Sequence, residues 1–121
     1  MDESPYPASR EPCPPFDLEE RASRFAEIED CLPELLAIFR SNGPADLSAI
    51  AKALDGQDLQ AAANLCHTLK GMAAVVCAPV VARTASELES AARALDVPAS
   101  RALLEELSRA MAQALDSPHC L

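Results

Sequence analysis

Ten prolines set where this chain can be helical, because each removes a backbone donor and locks its own φ. Five of them (Pro5, Pro7, Pro12, Pro14 and Pro15) fall in the opening stretch MDESPYPASREPCPP. That stretch cannot propagate a helix and holds little that would form a core, so residues 1–15 read as a flexible or extended linker. Pro33, Pro44, Pro79 and Pro98 each stand just before an amphipathic stretch. Proline suits the first turn of a helix, where its missing N–H leaves nothing unsatisfied. The spacing therefore predicts helix starts at all four.

Between these marks the apolar residues recur at helical spacing, in six stripes. Leu18, Ala22, Phe25 and Ile28 form a short first stripe, and Leu32, Leu35, Leu36 and Phe39 a second. Leu47, Ile50, Ala51 and Leu54 form the third, closed by Asp55-Gly56 with glycine in the left-handed position past a helix end. Leu59, Ala62, Cys66, Leu69, Ala73 and Val76 carry the fourth. Val81, Ala85, Leu88, Ala92 and Leu95 carry the fifth, and Leu103, Leu107, Ala110 and Ala114 the sixth. Short connections between such stripes imply antiparallel neighbours. The expected fold is all-α: an up-and-down antiparallel four-helix bundle with an additional short N-terminal helix, over residues 16–116. A C-terminal tail is expected at 117–121.

Composition narrows the function classes. Half of the 121 residues are hydrophobic, enough for one core. Few glycines and few β-branched residues favour helices over sheets. The net charge of −9 argues against nucleic acid or an anionic membrane as main partner, since both need a basic face. No apolar run approaches the ~20 residues of a membrane span, and the N-terminus lacks a signal-peptide pattern. Five cysteines without paired spacing fit a reduced, cytoplasmic setting. Cys66, Cys77, His119 and Cys120 do not supply the clustered spacing of a zinc site, so no metal or cofactor is expected. His119 falls in a frayed tail and reads as inert, and Glu87, Glu89, Glu105 and Glu106 read as solvated helix faces.

The stretch CHTLKGMAA, residues 66–74, carries the chemistry. A glycine inside a helix costs roughly 1 kcal/mol relative to alanine, so either Gly71 gains something from its missing side chain or the helix ends there. The helix face turned away from the fourth stripe holds Gln60, Ala63, Asn64, His67, Lys70, Gly71 and Ala74. His67 is thus expected to be exposed among small neighbours, with Lys70 as the one long charged group beside it. Cys66 falls on the buried stripe and points about 100° away, which removes a thiol–imidazole pair. An imidazole on a cleared platform suits chemistry in which another macromolecule comes close. An unperturbed histidine is mostly neutral and nucleophilic at cytoplasmic pH, and Lys70 is placed to pair with an anion such as a phosphoryl group on the ring.

His67-Thr68-Leu69-Lys70-Gly71, followed by alanine-rich helix and preceded by a helix ending in Asp-Gly, resembles the histidine-containing phosphotransfer (HPt) domains of bacterial multistep phosphorelays. The resemblance covers roughly residues 30 to 115. It implies a four-helix bundle that accepts a phosphoryl group from an aspartyl phosphate on a response-regulator receiver domain and passes it to another receiver. It also implies His67 as the phosphorylated residue, Lys70 as the nearby cation and Gly71 as the clearance residue. No ATP, metal or cofactor of its own is implied, because the receiver supplies the metal and the acid groups. The chain departs from the family pattern at Val75, which removes a polar group, and at Cys77, which replaces a glycine at the next turn.

The expected partners are receiver domains, as phospho-aspartate donor and acceptor, met by a monomer with no nucleic acid and no direct membrane contact. The proline-rich start suits a tether behind a receiver domain, as in the C-terminal domain of a hybrid sensor histidine kinase at the membrane. A free-standing protein is the other arrangement. By itself the module is a phosphotransfer intermediate without autonomous catalysis, since no Gly-rich nucleotide loop is present. Two competing readings are a structural helical adaptor in which His67 carries nothing, and the dimerisation helix pair of a histidine kinase. The latter typically follows its histidine with an acidic residue and a Thr-Pro step, which this chain lacks.

Overall fold

The computed structural model of the chain describes residues 14–26 and 31–120. Residues 1–13 of the expected linker, Ile28 of the first stripe and Leu121 lie outside the described residues. Five α-helices follow one another: α1 (Leu18–Arg24), α2 (Leu32–Asp55), α3 (Leu59–Val75), α4 (Pro79–Arg93) and α5 (Val97–Asp116), then a 3₁₀ turn at Pro118–Cys120. No strand occurs among the described residues. Helices α3 and α4 pack most extensively, α4 packs on α5, and α2 closes the ring against both α3 and α5. The result is a four-helix bundle in which α3 and α5 face each other across the diagonal, with the short α1 added at one end.

The six stripes become five helices because the second and third fuse. Pro44 does not start a helix; it lies inside the 24-residue α2. Its missing N–H leaves the Arg40 carbonyl without its i+4 donor, a defect that costs about 3 kcal/mol in an isolated helix. Core packing carries the helix through. Leu36, Phe39, Gly43, Leu47, Ile50 and Leu54 follow one another at three- and four-residue steps, an unbroken seam across the proline. All but Leu47 are buried. A Cβ on Gly43 would stand 2.9 Å from the Met111 sulfur, so the missing side chain is what leaves room for the Met111 side chain of α5 against α2. Pro33, Pro79 and Pro98 do lie in the first turns of α2, α4 and α5.

The three interhelical turns are built alike. In each, the residue after the helical C-cap is left-handed: Gln57 (φ 60°), Cys77 (φ 59°) and Leu95 (φ 60°). Its N–H and that of the next residue return to the last helical turn, Gln57 to Leu54 and Asp58 to Ala53 in the first case. Cys77 to Ala74 with Ala78 to Ala73, and Leu95 to Ala92 with Asp96 to Ala91, repeat the pattern. These are Schellman motifs, a form that favours glycine at the left-handed position. Here no glycine holds it: Gly56 sits one residue earlier at φ −84°, so the expected left-handed glycine is displaced onto Gln57. Asp58 and Asp96 then cap α3 and α5 by accepting from the N–H groups of Ala61 and Ala99, both at 3.1 Å.

Leu95 is 71% exposed although it continues the fifth stripe, because the stripe ends where the helix does. A left-handed non-glycine residue is strained by about 1–2 kcal/mol. Leu95→Gly should therefore stabilise the fold by roughly 1 kcal/mol, partly offset by the freer unfolded chain. A higher urea midpoint at unchanged slope would show it; a lower one would contradict the strain argument.

The segment before and through α1 is tied to the bundle by few but specific contacts. Phe16 is buried edge-on against Phe39 with ring centroids 6.2 Å apart, and the Arg21 guanidinium lies 5.0 Å above the Phe16 ring. Asp17 N–H donates to the Cys77 carbonyl at 2.7 Å. Arg24 donates to the carbonyls of Ala74 (2.6 Å) and Val75 (3.4 Å), satisfying the last turn of α3. The C-terminal stretch is not frayed as expected from its position: Cys120 is fully buried, and its carbonyl accepts from Arg40 at 2.7 Å. His119 is exposed.

Candidate functional site

Helix α3 presents His67 two turns before its C-terminal end, on the arc between its packing against α4 and solvent. Its side chain is 64% exposed. Gln60, Asn64, Gly71 and Ala74 are exposed on the same face, and Lys70 is half-buried. A Cβ at Gly71 would meet no atom within 4 Å, so this glycine opens a surface and serves no internal packing. Ala63 differs from its expected place: it is fully buried, because α3 is flanked by both α2 and α4 and its covered arc is wider than one stripe. Cys66 is buried in the core, and burial, followed by the charge of Glu89, pushes its thiol up to about 12. It is a protonated core residue and takes no part in the chemistry beside it.

Glu89 is the residue that reading by periodicity misplaced. Far from being solvated, its side chain is 12% exposed and gathers three partners. His67 Nδ1 lies 3.2 and 3.4 Å from its two oxygens. Lys70 Nζ donates to it at 3.2 Å, and Arg93 donates through Nε at 3.1 Å and Nη2 at 2.9 Å. Burial works to raise the Glu89 carboxyl, but the hydrogen bonds from Arg93 and Lys70 and the charges of Lys70 and His67 outweigh it and hold it below the usual range. Glu87, Glu105 and Glu106 are exposed as expected.

An ionised carboxylate has no hydrogen to donate. The contact with His67 therefore requires the proton on Nδ1, which in the neutral ring leaves Nε2 as the free base. Glu89 thus selects the tautomer, while Lys70 and Arg93 anchor Glu89. Lys70, expected as a lone cation beside the imidazole, is shared through this carboxylate. Glu89 and Arg93 are four apart on α4, a pairing visible in sequence. Its direction toward α3 is not, since His67 and Glu89 are 22 residues apart. Among the described residues no group of three or more His, Cys, Asp and Glu side chains is placed to hold a metal, and no helix is long and apolar enough to cross a membrane.

Residues 34–117 match the Hpt domain family. Among solved structures, the chain resembles histidine-containing phosphotransfer protein B (HptB) from Pseudomonas aeruginosa PAO1. The two are 31% identical and superpose with a TM-score of 0.76 over 83% of this chain and 87% of that one. No curated protein sequence matches.

Proposed function

The chain belongs to the Hpt domain family, a histidine phosphotransfer domain of a phosphorelay, and from that premise we propose that His67 is its phosphoryl acceptor. The observation that carries this reading is the geometry: an exposed imidazole whose Nδ1 lies 3.2 Å from the largely covered Glu89 carboxylate, a contact that assigns the proton to Nδ1 and leaves Nε2 to accept the phosphoryl group. The donor in this reading is a receiver-domain aspartyl phosphate. As the Nε2–P bond forms, the acyl P–O bond breaks and the aspartate carboxylate leaves with the electron pair. No proton moves, so the ring acquires positive charge with Nδ1–H still directed at Glu89. Glu89 stabilises that charge from behind, and Lys70 is close enough to turn toward the new anion in front. Passing the group to a second receiver is the same step reversed. Gly71, one turn from His67, leaves room for the receiver to press against α3.

The test is labelling of the purified chain by phosphoramidate and by a phosphorylated receiver domain. A product stable in base, labile in acid and located on His67 supports the reading. No labelling by either donor would leave the helical adaptor. Lys70→Ala should slow receiver transfer several-fold without abolishing it, since the nucleophile remains. Glu89→Ala should slow it further, and ¹⁵N shifts of the ring should change from one tautomer to a mixture. An unmixed tautomer in Glu89→Ala would remove the role given to the carboxylate.

A further inference from the structure

Arg83 is an exposed cation on α4 that makes no ion pair among the described residues. It stands between two grooves. One, of about 400 Å³, is also lined by Asp17, Glu20, Arg24, Lys70 and Ala74, and so opens onto the His67 platform through Lys70. The other, of about 390 Å³, is apolar and is lined by Phe16, Leu18, Pro79 and Val80. Within the first groove the other charges are already engaged. Asp17 accepts the Glu20 N–H at 3.0 Å, Glu20 pairs with Arg24 at 2.8 Å, and Lys70 pairs with Glu89 at 3.2 Å. Leu18 is one of the large apolar side chains left exposed. In a chain of net charge −9, Arg24, Lys70 and Arg83 line one groove, and of these Arg24 and Lys70 are paired with Glu20 and Glu89, which leaves Arg83 as its uncommitted cation among the described residues.

We propose that the receiver that exchanges the phosphoryl group with His67 also docks on α1 and the first turns of α4. An acidic side chain of the receiver pairs with Arg83, and a neighbouring apolar side chain enters the groove beside Leu18. The proposal rests on the His67 reading and extends its contact surface beyond α3. A second copy of this chain, or an anionic lipid surface, would be repelled by the overall charge, whereas a single acidic side chain on the receiver finds in Arg83 a cation that no carboxylate among the described residues already holds. Contacts of this kind set encounter and register rather than the chemical step. The N-terminal helix is then a specificity element.

Arg83→Glu should be labelled by phosphoramidate as fast as the wild type. With a phosphorylated receiver that labels the wild type, its transfer at low receiver concentration should be at least tenfold slower. Saturating receiver should restore most of the rate, placing the effect in KM. Leu18→Asp should show the same signature, and Arg109→Glu, exposed on α5 across the bundle diagonal from α3, should show none. Added salt should slow the wild type more than Arg83→Glu. Wild-type receiver kinetics in Arg83→Glu, or loss of phosphoramidate labelling together with receiver transfer, would overturn the proposal. Failure of the wild type with both donors would instead overturn the His67 reading on which it rests.

Discussion

His67→Gln is expected to lose phosphoryl acceptance from every donor while its melting curve stays nearly in place. Lys70 and Arg93 still donate to Glu89 and glutamine can add a hydrogen bond to it, so the carboxylate stays partnered, yet the amide offers no nucleophilic nitrogen. The replaced side chain is 64% exposed and makes no core contact, which limits the change in stability to about 0.5 kcal/mol. Labelling followed by thermal unfolding separates the two effects. Residual label would move the site to His119, the other histidine of the chain. Unfolding would mean that the network around Glu89 holds α3 to α4 more strongly than its exposure indicates.

Gly71→Gln should separate the small donor from the large one. Nothing stands within 4 Å of a Cβ at this position, and its φ is not left-handed, so helix and core accept a longer side chain. Gly71→Ala alone should stabilise the fold by up to ~1 kcal/mol. In Gly71→Gln, phosphoramidate should still reach His67, one turn away. A receiver would meet several new atoms where its surface presses on α3, and a displacement of about 1 Å in the reacting groups already lowers the rate on the order of a hundredfold. Equal loss with both donors would assign the glycine to the histidine's own geometry and defeat the clearance argument.

What could be read in advance follows the range of the physical signal. The stripes, the helix starts at Pro33, Pro79 and Pro98, and the face with His67, Lys70 and Gly71 are all local, set by spacing within one helix. Pro44 misled because its local preference for a helix start was weighed without the seam that continues from Phe39 through Gly43 to Ile50. Tertiary burial overrode propensity there. Gly56 misled by one residue: the turn places its strain on Gln57, and the same strain falls on Cys77 and Leu95, so glycine content does not report where these turns occur. Glu89 was out of reach for another reason. Its polarity on an amphipathic helix is what any solvated face shows, and only the packing of α4 on α3 turns that carboxylate toward the imidazole.

Helix α2 is longer than the helices it supports, and this has a consequence for how the domain opens. Its 24 residues span roughly 36 Å, against roughly 26 Å for the 17 of α3. The overhanging end is covered by the seven residues of α1 and the three of the 3₁₀ turn, through Phe16, Arg21 and the Arg40–Cys120 contact. Elements that short are unstable by themselves. In native-state hydrogen exchange, that cap should therefore lift as its own unit, at a lower free energy than α3 and α4. When it lifts, α3 loses the Arg24 contacts to the carbonyls of Ala74 and Val75, in its final turn. The imidazole and its carboxylate lie about two turns upstream, anchored to α4. A pull transmitted through the preceding segment would unpeel the cap and stop there, leaving the histidine's tautomer untouched.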